Sequence, residues 1–300
     1  TISGQVPQTL WFNDLPVAWS EYLHTYRAGF TLFRQNVSNC SPGLYAPERF
    51  IASQFSSQDG RTHDRISQEL YRQGYAIWFT MFGFALPFGE RISYLDELVA
   101  TENYIKYVVA RFGAYVDIWE VANEAVTSDE YVQTIARLIK KYDPFDRLIT
   151  VSWDKPELPE MTLIAPHWYE TESDTSSDLA TLAQLERFQS YNKPILFGEQ
   201  GNQRSNWDPT SALRMRVRVW TAFFQQAGIV FWNQSSNQYH YNEVFDNSNQ
   251  YIGPEERGMM EQFQRLTQQL PLDLEPRPTP IRSQSVRSYT LSNPKLLLSY

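Results

Sequence analysis

The chain has 300 residues, 42% of them hydrophobic and 15% aromatic, enough to bury one large core in a single α/β domain. A net charge of -8 argues against a surface that tracks phosphates, so nucleic acid is not an expected partner, and no run approaches the length of a membrane span. One cysteine, Cys40, excludes an internal disulfide framework.

Apolar runs and helix-period segments alternate along most of the chain, which points to a parallel sheet with helical crossovers. Val17 to Arg27 reads as a helix stopped at Gly29, followed by the strand Phe30 to Asn36. Asp64 to Gln73 is helical with Gly74 as its stop, and Tyr75 to Phe82 is the next strand. Leu98, Ile105, Val108, Val109 and Phe112 form a stripe ending at Gly113, before the strand Tyr115 to Val121. Ser128 caps a helix carrying Val132, Ile135, Leu138 and Ile139, and Leu148 to Trp153 is the strand after it. Leu163 to Tyr169 is a shorter strand without a clear helix before it. Leu179 to Phe188 is a helix leading to the strand ending at Glu199, and Leu213 to Phe224 is a helix leading to Ile229 to Trp232. Pro254 to Leu270 closes the cycle. These runs give seven strands; an eighth must come from the first dozen residues, with Thr9 to Phe12 as the candidate. The expected fold is therefore α/β, a (β/α)8 TIM barrel over residues 1–270.

Beyond Leu270, Pro271, Pro276, Pro278 and Pro280 break any helix and read as a linker. Val286 to Leu291 and Lys295 to Tyr300 flank Ser292-Asn-Pro294 as a hairpin, so 271–300 is a tail that either packs on the barrel or begins a β-sandwich. The chain starts at Thr1 without methionine or an apolar leader, which fits a processed secreted or periplasmic protein and equally an excised fragment. Asn36, Asn39 and Asn233 sit in glycosylation patterns, but two of them abut strand ends and read as chance matches.

Glu124, ending Ile118-Trp-Glu-Val-Ala-Asn-Glu124, and Glu199, ending Pro194-Ile-Leu-Phe-Gly-Glu199, both emerge where a barrel strand reaches its C-terminal face. Two carboxylates converging from different strands are what glycosidic bond cleavage needs: one protonates the leaving oxygen and the other attacks or assists at the anomeric carbon. Glu120, an even spacing before Glu124, falls on the same side deeper in the barrel and reads as structural. The nine Trp, 18 Tyr and 18 Phe suit either a dense core or a cleft whose rings stack on sugars. His24, His63, His167 and His240 show no metal-ligand spacing, so no metal is expected. No phosphate-binding glycine loop or nucleophile elbow occurs, so no cofactor is expected either.

These residues together resemble the retaining (β/α)8 glycoside hydrolases of clan A, particularly the family 5-like cellulase and mannanase group, over roughly residues 9–270. The resemblance implies Glu124 of the Asn123-Glu124 pair as acid/base and Glu199 as nucleophile. It implies Arg34 and Tyr169, of His167-Trp-Tyr169, against the nucleophile, and Trp232 as the floor beneath the cleaved sugar. Asn123 would donate to the sugar 2-hydroxyl. Loop position adds Trp153, Asp154, Phe84, Phe88, Gln234, Asn237, Tyr239 and His240 as candidate binding residues, a solvated polar loop being the plainer reading of the last four. The short stretch between the two glutamates departs from the family and implies trimmed loops. The expected partner is a carbohydrate; an exo-acting enzyme of the same clan and a silent carbohydrate-binding barrel are the alternatives.

Overall fold

The computed structural model of the chain describes residues 9–12, 15–18, 24, 27, 29–37, 43–45, 55–152, 155–169, 177–201, 211–231, 254–279 and 285–300. Two parallel sheets carry the architecture. β3 (Leu32–Gln35), β4 (Ala76–Phe82), β5 (Ile118–Ala122) and β6 (Leu148–Thr150) form one, in sequence order, and β7 (His167–Tyr169), β8 (Leu196–Gly201) and β9 (Gly228–Phe231) form the other. The segment before β7 joins them. Thr162 and Leu163 donate backbone N–H groups to the Ile149 carbonyl on one side, and Ile164 bridges Ile195 in parallel on the other. At the far end β3 lies beside β9.

Alternation along the strands then fills the interior. Trp78, Ile118, Leu163 and Ala165 form one buried cluster, with Leu32, Leu196 and Val230 packed against it, so strands from both sheets meet around a single axis. The opposite faces pack on the helices, α1 (Ser57–Arg72), α2 (Leu95–Phe112), α3 (Asp129–Tyr142), α4 (Ser177–Glu186), α5 (Ser211–Phe224) and α6 (Pro254–Thr267). Phe79 stacks on Phe112 with ring centroids 5.1 Å apart and meets Trp119 edge-on, so much of the aromatic content is core packing.

Helix boundaries follow local chemistry. Ser56 accepts from the Asp59 N–H at the start of α1, and Gly74, with φ of 77°, turns the chain out of it. Ser128 caps α3 as expected, accepting from Tyr131 N–H at 3.1 Å. At α2 the Glu97 carboxylate accepts from the Ser93 and Tyr94 N–H groups.

The amino-terminal segment corrects two expectations. Thr9–Phe12 (β1) is a strand, but it pairs antiparallel with β2 (Leu15–Ala18) rather than standing in a parallel sheet. Val17 and Ala18 belong to that hairpin, not to a helix, although His24 and Arg27 are helical. The pairing is the reason: Phe12 faces Leu15 and Leu10 faces Val17, so these apolar positions answer to a neighbouring strand and not to a helical period.

The tail also differs from the plain hairpin expected. Glu275–Arg277 (β10) lies inside the proline-rich stretch and pairs with β11 (Thr290–Ser292), which pairs with β12 (Leu297–Ser299). Pro276 is tolerated because β10 is the edge of this small sheet. The sheet packs on the barrel: Leu274 and Leu291 join Phe224 of α5 in one buried cluster, and Tyr300 stacks on Trp220 and Phe224. Arg287 and the Tyr289 hydroxyl both donate to the Asp178 carboxylate of α4. Asn36, one of the glycosylation-pattern asparagines, is 3% exposed and folds its side chain onto the Val37 N–H, which favours the chance match.

Candidate active site

Strand parity delivers most of the site. Arg34 follows Leu32 by two, Glu120 follows Ile118 by two and His167 follows Ala165 by two, so each extends an inward-facing row toward the C-terminal end of its strand. Glu199 needs an additional device. In the β8–β9 ladder Phe197 faces Ile229 but Gln200 faces Phe231, three residues of advance on β8 against two on β9. Phe197 packs outward with Trp168 and Leu185, so this bulge leaves room for both Gly198 and Glu199 to turn inward.

Around Arg34 the geometry is dense. Its Nε and Nη2 donate to the two oxygens of Glu120 at 2.8 and 2.7 Å, its Nη2 also to Asn123 Oδ1 at 2.6 Å, and its Nη1 to Glu199 Oε1 at 2.6 Å. Tyr169 donates its hydroxyl to the other oxygen of Glu199. His167 places Nδ1 2.9 Å from Glu124 Oε1 and 3.8 Å from Glu199 Oε1, while its Nε2 lies 3.3 Å from Ser152 Oγ. Glu124, His167 and Glu199 each offer one atom such that all three lie within 4.8 Å of one another, so the two carboxylates do converge.

The electrostatics follow from burial. Desolvation would lower the Arg34 guanidinium, but the charges and hydrogen bonds of Glu120 and Glu199 outweigh it and hold it well above its ordinary value. Burial works against the charged form of Glu120 too, and there the Arg34 charge prevails and holds the carboxyl below the usual range. Burial first, then the Glu199 charge, raises the Tyr169 hydroxyl well above its ordinary value, so it stays a hydrogen-bond donor.

Glu124 adopts φ of 48°, a left-handed conformation that a non-glycine residue holds only under constraint, and such outliers concentrate at functional sites. The turn carries the chain off β5 and lets Asn123 and Glu124 both reach the site: Asn123 binds Arg34, and Glu124 binds His167.

The structure thus brings together Arg34, Asn123, Glu124, His167, Tyr169 and Glu199. Trp153, Asp154, Trp232, Gln234, Asn237, Tyr239 and His240 lie outside the described residues. Phe84 is exposed and Phe88 half-buried after β4. Sequence reasoning missed Ser152 and Gly198. Ser152 carries a legible signal, standing two residues after Thr150 on β6, the register partner of Glu120. Gly198 does not, because its need arises from the His167 ring on a neighbouring strand: a Cβ there would meet Nε2 at 2.8 Å.

The Glu124, His167 and Glu199 trio has the donor atoms of a metal site. Arg34 already presents a fixed positive charge to Glu199 at 2.6 Å, which opposes a cation there. Among the described residues no helix is long and apolar enough to cross a membrane.

Seven parallel strands with intervening helices among the described residues, and a polar cluster at their C-terminal ends, place the chain in the (β/α)8-barrel fold class, with a small C-terminal antiparallel sheet. Solved structures agree on that fold. A glycoside hydrolase family 5 structure from Bacteroides vulgatus ATCC 8482 superposes with a TM-score of 0.67 at 14% identity, over 91% of this chain and 70% of that one. A broad specificity endoglucanase from Clostridium acetobutylicum matches with 0.60 at 12% identity, over 87% and 96%. A family 5 protein from Bifidobacterium longum subsp. longum, in complex with Manβ1-4GlcNAc, matches with 0.60 at 11% identity, over 84% and 74%. This chain spans only 58% of a second Bacteroides vulgatus structure, matched at 0.59 and 15% identity. No protein-family model matches the sequence, and no curated protein does.

Proposed function

We propose that the protein is a retaining glycoside hydrolase acting on β-linked poly- or oligosaccharides, with Glu199 as nucleophile and Glu124 as acid/base. The observation that carries this reading is the approach of the two carboxylates, whose oxygens come within 4.8 Å. Retaining enzymes place their carboxyl groups about 5–5.5 Å apart, whereas inverting ones need roughly 6.5–9.5 Å to admit a water. The family 5 barrels that share this fold support the substrate class, one of them holding a β-linked disaccharide.

In the first step a Glu199 oxygen bonds to the anomeric carbon as the glycosidic carbon–oxygen bond breaks, and Glu124 gives its proton to the departing oxygen. In the second, water attacks the anomeric carbon, Glu124 takes the water's proton, and the glycosyl–Glu199 bond breaks with its electron pair returning to the carboxylate. Arg34 and Tyr169, one on each Glu199 oxygen, receive the charge that returns. Asn123, whose Oδ1 is taken by Arg34, has its amide donors left for the sugar 2-hydroxyl.

The test is sugar release from β-glucans, β-mannans, xylans, β-galactans and aryl β-glycosides, comparing wild type, Glu199→Ala and Glu124→Ala. Release from one member, lost in Glu199→Ala, supports the reading, and its products separate endo from exo action. Binding of polysaccharide with no hydrolysis across the panel makes the barrel a silent binder and overturns it. An NMR time course in which the inverted anomer forms first removes the retaining mechanism.

A further inference from the structure

We infer that Glu120 is a positioning residue that sets both halves of the site at once, a conclusion that rests on Glu124 and Glu199 being the reacting pair. The carboxylate is fully buried and accepts five hydrogen bonds: two from Arg34, and one each from Trp78 Nε1 at 2.9 Å, Thr80 Oγ1 at 2.6 Å and Ser152 Oγ at 2.5 Å. A barrel core gains nothing in stability from such an ion pair that apolar side chains of similar volume would not supply. Its partners explain it better, because two of them lead directly to the two glutamates.

The first branch runs through Arg34. A guanidinium is a rigid planar fork, so seating Nε and Nη2 on the two Glu120 oxygens determines where Nη1 points, and it points at Glu199. The same Nη2 takes the Asn123 carbonyl oxygen and so fixes which way that amide faces. A lysine in place of Arg34, or a neutral group in place of Glu120, provides no such orientation.

The second branch runs through Ser152 and turns on counting protons. Ser152 has one hydroxyl proton, and the Glu120 carboxylate, which can only accept, takes it. Ser152 therefore offers His167 only a lone pair, and the proton between them belongs to His167 Nε2. With Nε2 protonated, the neutral imidazole presents a bare Nδ1 to Glu124, and the proton in that 2.9 Å contact is the one Glu124 carries as an acid. Glu120 thus selects the histidine tautomer that accepts from a protonated Glu124. The charged and titratable groups facing this network are Arg34 from β3, Glu124 after β5, His167 and Tyr169 from β7, and Glu199 from β8.

The experiment compares wild type with Ser152→Ala, Ser152→Thr and Glu120→Gln, and with Ser67→Ala as a control that deletes a buried hydroxyl bonded to Gln35 outside the network. Michaelis parameters and pH profiles are measured on the substrate the wild type cleaves, and the His167 ring nitrogens are followed by 15N NMR. Ser152→Ala is expected to lower kcat roughly tenfold or more with KM little changed, to displace the pH profile of kcat, and to alter the His167 nitrogen shifts that report Nε2–H in the wild type. Ser152→Thr restores all three, Glu120→Gln loses about a hundredfold or more in kcat where it folds, and Ser67→Ala resembles wild type. The inference is overturned if Ser152→Ala keeps the wild-type kcat, profile and histidine shifts, or if the wild-type ring carries its proton on Nδ1 alone. Because the NMR readout needs no turnover, an inactive wild type with the expected tautomer counts against the hydrolase reading, while an active one with the wrong tautomer counts against this inference alone. If Glu120→Gln does not fold, the two Ser152 variants decide.

Discussion

Gly198 lies against the His167 ring so closely that a Cβ there would approach Nε2 to 2.8 Å and Cδ2 to 3.0 Å, with the Ala165 carbonyl at 3.1 Å on another side. The glycine that precedes the candidate nucleophile is therefore also what admits the histidine bonded to the candidate acid. Gly198→Ala is expected to push the ring off Glu124 and Ser152. Overpacking of this kind costs about 1–3 kcal/mol, so the variant should fold with a lowered Tm and lose most of its kcat. Unchanged kcat with a lowered Tm would show that the ring's place is immaterial to turnover.

Arg34 is the cation shared by Glu120 and Glu199. Removing it alone leaves two carboxylates facing one another in the barrel, and Arg34→Ala is expected to cost about 3–5 kcal/mol in urea unfolding. Replacing the pair together, Arg34→Met with Glu120→Leu, should cost less than the two single changes added. An additive result would mean that the ion pair carries no coupling.

The depressed Glu120 carboxyl makes a prediction about acid. Burial opposes ionisation there and Arg34 overrides it, leaving the folded value below the unfolded one. Its contribution to stability is thus fully present above the unfolded carboxylate value of about 4.3 and is lost as pH falls through the lower folded value. Urea midpoints measured from pH 7 downward should hold through the range above the unfolded value and fall below it. The fall should be shallower in Glu120→Gln, which starts from a lower plateau; equal slopes would place the acid-sensitive groups elsewhere.

The C-terminal sheet is held by burial as well as by Asp178. Leu291 is 1% exposed against Phe224 and Leu274, while Leu297 in the next strand is 60% exposed. Leu291→Ala should cost about 2–5 kcal/mol. Leu297→Ala should cost within about 0.5 kcal/mol, as surface changes do. Similar melting curves for the two would mean that the sheet is not part of the cooperative unit.

Where the sequence was legible, one strand or helix contained its own signal. Amphipathic stripes ended at Gly74 and Gly113, Ser128 announced its helix, and Glu124 and Glu199 announced themselves by closing buried apolar runs. What stayed hidden depends on neighbours. The hairpin partner Leu15–Ala18 overlaps a helix-like pattern, and only pairing with Thr9–Phe12 decides it. β10 hides among prolines because edge strands alone accept them. The β8 bulge, Gly198 and Ser152 are required by atoms on adjacent strands, and Glu120 read as structural because its spacing gives its depth and not its partners.

Whether Glu199 is the nucleophile is decided by mass spectrometry of the protein after incubation with the 2-deoxy-2-fluoro β-glycoside of the sugar it cleaves, which slows the second step more than the first and leaves the glycosyl group on the nucleophile. One added glycosyl group is expected, located by digestion to the peptide carrying Glu199 and absent in Glu199→Ala. Attachment to any other residue, or hydrolysis of natural substrate that persists in Glu199→Ala, would contradict it.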